Sequence, residues 1–228
     1  MIEYKGVNYY RVTKIVYKYP EKIKGVYALY GSFMHAVLEN MVRKHFNMEE
    51  RDFFVNHLDG LSCFEASEQI QRDVQNFSRI NKSIFSQKTL SRLEKMYDSL
   101  NYPEEHLLGA FNSVVADAKE LLNTEIRFYG STEFLNFTGQ IDFLMVGFEQ
   151  NILIKDFKTS NLNCFDREKK EKCFMGQLGA YQELLRLNDF SDHLTICSSI
   201  VTPTEKLQYD YEKCKDVWGD FEIDFLLN

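Results

Sequence analysis

The spacing of apolar positions changes several times along this chain and predicts its elements. Tyr4 to Val16 mixes β-formers with one glycine, which reads as a first strand followed by a short helix capped by Thr13. From Gly31 onward Phe33, Val37, Leu38 and Met41 recur at three- and four-residue intervals, predicting a helix to about Lys44 with Ser32 as its N-cap. His35 and Glu39 then share a face. Residues 46–123 read as helical almost throughout. The clearest stretch runs from Glu104 to Asn123, where Leu107, Leu108, Phe111, Val114, Val115, Ala118, Leu121 and Leu122 form one stripe behind Pro103 and Glu104-Glu105. Weaker stripes at Phe64, Ile70, Val74, Phe77 and at Leu90, Leu93, Met96, Tyr97, Leu100 predict two further helices.

At Thr124 the pattern becomes strand-like. Residues 125–129, 137–146 and 151–158 are rich in β-formers, and Gly147 to Asn151 reads as a hairpin turn. A charged loop from Asp166 to Lys172 leads to a helix from about Cys173 to Arg186, and a strand from Leu194 to Val201 follows. This order predicts an α/β fold with a mixed sheet flanked by helices.

The chain has 228 residues, enough for one domain with a helical elaboration. A hydrophobic fraction of 44% with only 3 Pro and 11 Gly excludes disordered and collagen-like classes. The apolar runs are far shorter than a membrane helix needs, and Met1 to Lys5 lacks the apolar stretch of a secretory signal, so a soluble, intracellular (cytoplasmic) protein with no membrane partner is expected. Five cysteines contain no C-x-x-C pair, so neither a zinc knuckle nor a disulfide framework is indicated. The net charge of -7 argues against coating nucleic acid by bulk electrostatics. Yet residues 1–45 carry eight Lys/Arg against three Asp/Glu, which leaves room for a local basic face.

Candidate chemistry lies on the predicted hairpin. Asp156 and Lys158 are two apart on one strand, hence on one face and roughly 6–7 Å apart, while Asp142 comes from the preceding strand. Carboxylates on neighbouring strands repel unless a cation lies between them, and such oxygen donors suit Mg²⁺ or Mn²⁺ rather than zinc. An adjacent lysine can hold a water near an anionic substrate. Acid-x-Lys occurs four times in the chain, so the pair carries meaning only through its context: an apolar strand before it and an acid behind Gly139. An exposed, salt-bridged strand end is the other reading of the same residues.

Taken together, Gly31-x-x-x-His35, Gly139-x-x-Asp142, Asp156-x-Lys158 and Gln177-x-x-x-Tyr181 resemble the PD-(D/E)XK nuclease superfamily, in particular its RecB-type branch. Gly6 to Ile15 also resembles the start of phage exonucleases related to the mitochondrial genome maintenance exonuclease. The resemblance covers residues 4–40 and 125–185. It implies a restriction-endonuclease-like core in a single domain, with 45–123 as a helical insertion or arch and 124–201 as the catalytic sheet and Q-x-x-x-Y helix.

The resemblance further implies a metal held by His35, Asp142, Asp156 and the Phe157 backbone carbonyl, with Glu125 as a further acid. Lys158 would orient the attacking water, and Gln177 and Tyr181 would hold Lys158 or a phosphate. Each residue also has a plainer reading: His35 as a core histidine, Glu125 as a surface residue of an edge strand, and Gln177 and Tyr181 as polar groups capping a core. The expected activity is a Mg²⁺- or Mn²⁺-dependent DNA exonuclease, preferring single-stranded ends, in phage or mobile-element replication, recombination or repair. A catalytically silent DNA-binding or interaction module, an endonuclease without a cluster, and a CRISPR-adaptation-like nuclease are the alternatives. Relatives with an iron–sulfur cluster carry three closely spaced cysteines after the Q-x-x-x-Y helix. Here only Cys197 and Cys214 follow Tyr181, so no cluster is expected. Any protein partner in replication or recombination stays unidentified.

Overall fold

The computed structural model describes residues 1–17, 26–49, 103–159, 167–190, 195–202 and 205–227. The chain divides into two compact units, residues 23–112 and residues 1–22 with 113–228. In the first unit α2 (Val26–His45) buries Met34, Leu38 and Val42 along one stripe. Ser32 lies inside this helix and does not cap it, because Gly31 costs a helix only about 1 kcal/mol and does not stop it. The predicted helices around 64–77 and 90–100 lie outside the described residues.

The second unit is built on a mixed seven-stranded sheet. β1 (Ile2–Tyr4) and β2 (Val7–Arg11) form a hairpin whose turn puts Lys5 and Gly6 in the left-handed region, the geometry of a two-residue hairpin turn. The chain enters α1 (Val12–Tyr17) directly, one residue before the expected Thr13 cap. β3 (Ala118–Ser131) pairs with β4 (Asn136–Gly147) along its whole length. Along β4's other edge, β2 pairs in parallel at Phe137 and Thr138, and β5 (Ile152–Phe157) pairs antiparallel from Phe143 to Val146. The sheet therefore forks beside residues 139–142. Beyond β5 lie β6 (Ile196–Val201), parallel, and β7 (Lys206–Tyr209), antiparallel.

The stripe from Glu104 to Asn123 is not one helix. α3 (Pro103–Val115) ends and β3 begins at Ala118. Ala118, Leu121 and Leu122 have helical spacing, but with two bulges in β3 Ala118 and Leu121 pair with β4 and Leu122 falls at the second bulge. The charged run after Asp166 is likewise a helix, since α4 spans Arg167–Leu187. Its first turns are exposed and held by local charge, with Arg167 and Glu171 paired one turn apart at 2.7 Å, so they carry no apolar period to read. β7 and α5 (Tyr211–Leu227) were not anticipated at all.

α4 is the buried helix that crosses over from β5 to β6. It packs Leu178, Tyr181, Leu184 and Leu185 into the core with Phe137, Ile141 and Ile154 of the sheet. α5 covers α4 with Cys214 and Trp218. The crossing is close: a Cβ on Gly179 would fall 2.1 Å from the Cys214 backbone oxygen. Gly179→Ala should therefore destabilise the protein by a net ~1–3 kcal/mol although alanine favours a helix. Urea unfolding checks this, and an unchanged midpoint would mean that α5 can move away without loss.

Candidate active site

Three carboxylates stand in a row across three neighbouring strands. Thr124 pairs with Phe143 and Ile126 with Ile141, which sets Glu125 opposite Asp142. Phe143 pairs with Lys155, which sets Asp142 opposite Asp156 one step beyond the ladder. At the fork, Asp142 uses Oδ2 to accept the Phe157 backbone N–H at 2.7 Å. Carboxylate oxygens of Glu125 and Asp142 come within 4.8 Å of each other. Asp142 and Asp156 are both buried.

Asp156 divides its two oxygens between two partners. Oδ1 accepts from Gln177 Nε2 at 2.9 Å, and Oδ2 forms an ion pair with Lys158 Nζ. The Lys158 backbone N–H is tied to Val201 O at 2.8 Å, so the lysine leaves the sheet from a fixed point. Burial by itself would lower its pKa. The carboxylates of Asp156 and Asp142 outweigh this and raise it above the ordinary lysine value, keeping Lys158 an ammonium. Its side chain is still 23% exposed, which leaves it access to solvent.

Gln177 and Tyr181 stand one turn apart on α4, and Gln177 Nε2 also donates to the Tyr181 hydroxyl oxygen at 2.6 Å. Burial, then the charges of Asp156 and Asp142, raise the Tyr181 pKa well above its usual value, so it stays a neutral phenol. The Tyr181 ring lies against the glycine of G-x-x-D: a Cβ on Gly139 would sit 2.6 Å from a ring carbon. That glycine and that tyrosine, 42 positions apart in the chain, answer one packing requirement.

Glu125 has a φ of 49°, left-handed in the middle of a strand, a conformation that costs a non-glycine residue about 1–3 kcal/mol. Its carboxylate accepts from the Gln140 amide, whose oxygen in turn accepts from Arg127. Sequence reasoning passed over Gln140, the second residue of G-x-x-D, and over Arg127. It also passed over Tyr17, the last residue of α1, whose hydroxyl donates to Gln177 Oε1 at 2.7 Å. The alternation of β3 placed Arg127 and Glu125 on one face, but nothing in the sequence pointed to Tyr17. The structure thus brings together Glu125, Asp142, Asp156, Lys158, Gln177 and Tyr181 within one unit. His35 belongs to the other unit, half-buried on α2 next to Met34.

The core is thus a mixed α/β sheet forked at a row of acids, with an ion-paired lysine just past the end of the last strand of the row. The profile of the PD-(D/E)XK nuclease superfamily matches residues 9–212, and the chain belongs to that family. Its restriction-endonuclease-like core is the sheet and flanking helices described above. Among solved structures, an exonuclease candidate from Eubacterium rectale is similar at 12% identity over 71% of this chain, with a TM-score of 0.33. The chain spans 62% of that protein's length. The protein SSO0001 is similar at 14% identity over 67% of this chain and 70% of its own, with a TM-score of 0.29. No curated protein matches the chain in sequence. Among the described residues no helix is long and apolar enough to cross a membrane.

The opposite face of β5 carries a second buried charge. Lys155, 1% exposed, donates to the Val114 carbonyl in the last turn of α3 and pairs with Asp117, which also binds Lys206 at 2.6 Å. Burial, only partly offset by Asp117, depresses the Lys155 pKa from 10.5 to about 8. Between those two values the unfolded chain holds a proton that the native chain has released, so stability rises with pH there. Below that window both states are protonated and the slope vanishes. In urea unfolding across pH 8 to 10.5, the wild type should gain stability relative to Lys155→Met. A constant difference would show that the native lysine titrates normally.

Proposed function

We propose that this protein is a divalent-metal-dependent deoxyribonuclease that hydrolyses phosphodiester bonds, acting as an exonuclease on single-stranded ends. The observation that carries the reading is the row of Glu125, Asp142 and Asp156 on adjacent strands with Lys158 ion-paired to the last of them. The donor set fits Mg²⁺ or Mn²⁺: it is built of hard oxygens, half-enclosed, and includes two carboxylates close enough to repel. Asp142, Asp156 and the Phe157 carbonyl would hold the ion, with Glu125 beside them. His35 joins them on the strength of its G-x-x-x-H motif alone. When bound, such an ion polarises the scissile phosphate and lowers the pKa of a bound water.

The chain's own residues account for the remaining steps. Lys158, kept charged by the two aspartates, orients the attacking water and neutralises the non-bridging phosphate oxygens as charge accumulates. Tyr181, held neutral, offers a donor and never a competing negative charge. Gln177 fixes the oxygen of Asp156 that faces away from Lys158. Single-strand preference is supported by the basic first 45 residues and by the length of chain between α2 and β3, which suits an arch that admits an end. The four motifs support the RecB-type branch, and the stretch from Gly6 to Ile15 supports a role in phage or mobile-element DNA metabolism.

The decisive assay incubates the purified protein with end-labelled linear and covalently closed single-stranded DNA, with Mg²⁺, Mn²⁺ or chelator. Digestion of the linear form alone, abolished by chelator, is expected. Prompt linearisation of circles would make the enzyme an endonuclease, and no cleavage of either form would leave a binding module.

Asp142→Asn and Asp156→Asn should each cut the rate by at least about a hundredfold, and unfolding should separate them. Asp142→Asn relieves repulsion and leaves stability level or higher. Asp156→Asn strips Lys158 of its buried counter-charge and lowers stability. Lys158→Arg keeps the charge but replaces a compact ammonium with a planar fork, and turnover should fall by roughly a hundredfold while Mn²⁺ binding survives. Unimpaired turnover would remove the water-orienting role.

A further inference from the structure

We infer that Tyr17 is a positioning residue of this site, acting on Asp156 through the Gln177 amide. The inference rests on the proposed metal-dependent reading and adds to it a residue outside the four motifs. Gln177 is 2% exposed, so each polar atom of its amide needs a partner within the protein. Tyr17 donates to Oε1 at 2.7 Å, and Nε2 donates to Asp156 Oδ1 at 2.9 Å and to the Tyr181 oxygen at 2.6 Å. With its oxygen engaged by a phenol, the amide is held with its N–H side toward the carboxylate. The reverse orientation would bring Oε1 against an acid that accepts and cannot donate. Donation into Oε1 also polarises the amide and strengthens the bonds its N–H groups make.

Tyr17 is itself held firmly. It ends α1, and α1 is locked to α4 just ahead of Gln177. The Cys173 thiol lies 3.7 Å from the Val16 carbonyl oxygen, and a Cβ on Gly176 would be 3.5 Å from the Val16 methyl. Because β2 leads without a loop into α1, the hydroxyl is placed from the opposite branch of the fork to the one that carries Asp156. The site is thus braced from both branches. Loss of the hydroxyl leaves Gln177 Oε1 without its donor and frees the amide to turn. Asp156 then loses the bond that sets the direction of its carboxylate.

The test is calorimetric titration of Mn²⁺ in the absence of DNA, on wild type, Tyr17→Phe, Gln177→Leu and the double variant, with thermal unfolding of each. Partners one hydrogen bond removed from a ligand change metal affinity on the order of tenfold or more. Gln177 is that partner of Asp156, so Gln177→Leu should weaken Mn²⁺ binding about tenfold, and Tyr17→Phe, which frees the same amide to turn, by several-fold up to that amount. In the Gln177→Leu background the same change should weaken it less than about twofold, because the amide through which it acts is gone. A merely structural phenol would lower the unfolding temperature and leave the affinity of the folded protein intact. That result, or an equal loss in both backgrounds, overturns the inference. Failure of the wild type to bind Mn²⁺ would overturn the metal-dependent reading itself, and the inference would fall with it.

Discussion

A carboxylate with 1% of its surface in contact with solvent has lost its hydration and must be compensated from within the protein. Asp156 is such a group, and most of the unit around it is arranged by that need. One oxygen is met by an ammonium two residues along the chain, just past the end of β5, and the other by an amide on a buried helix. The amide can be there only if α4 lies close on the sheet, which a glycine of β4 permits, while two glycines on α4 itself let α5 close over its other side. Gly139 admits the Tyr181 ring, Gly176 admits Phe221, and Gly179 admits the backbone of α5. Compensation of one buried charge thereby reaches through α4 to α5.

The two faces of β5 solve opposite problems with the same residue types. On one face two aspartates and a lysine are gathered where solvent can still reach the lysine, and the ammonium is stabilised. On the other, a lysine is enclosed against the end of α3 with one aspartate shared between two ammonium groups, and its charge is costly. Proximity of opposite charges is common to both, so proximity does not decide the sign of the shift. Burial lowers both lysines, and the acids decide whether it is outweighed: two face one lysine on the first side, and one is shared by two lysines on the second.

The hairpin that carries Asp142, Asp156 and Lys158 was readable because its strands are runs of β-formers buried on both faces, and because a glycine-led turn separates them. The Gln177–Tyr181 face was readable because four residues make one turn. The strand character of residues 118–123 was not, since Ala118, Leu121 and Leu122 satisfy a helical period and become a strand only through bulged pairing with β4. The start of α4 carries no apolar period to read, whereas α5 does carry one, in Cys214, Val217, Trp218, Phe221 and Phe225, and was legible on that pattern. Tyr17 illustrates a different limit. Its partner lies 160 residues away, and no local pattern encodes a contact that exists only after β2, α1 and α4 have come together.

Glu125 shows how the sheet itself contributes to the chemistry. A left-handed glutamate between Thr124 and Ile126, both in register with β4, is held in place by pairing on either side of it. A sheet that required only hydrogen bonds at this point would be better served by glycine or asparagine, which enter that region at little cost. Glutamate there brings a carboxylate toward Asp142, and the Arg127 to Gln140 to Glu125 chain of donors keeps it in place. Strain, like-charge approach and a dedicated donor chain meet at one residue, and each is unfavourable or superfluous for folding alone. On the proposed metal-dependent reading, a cation shared by both carboxylates would account for their coincidence.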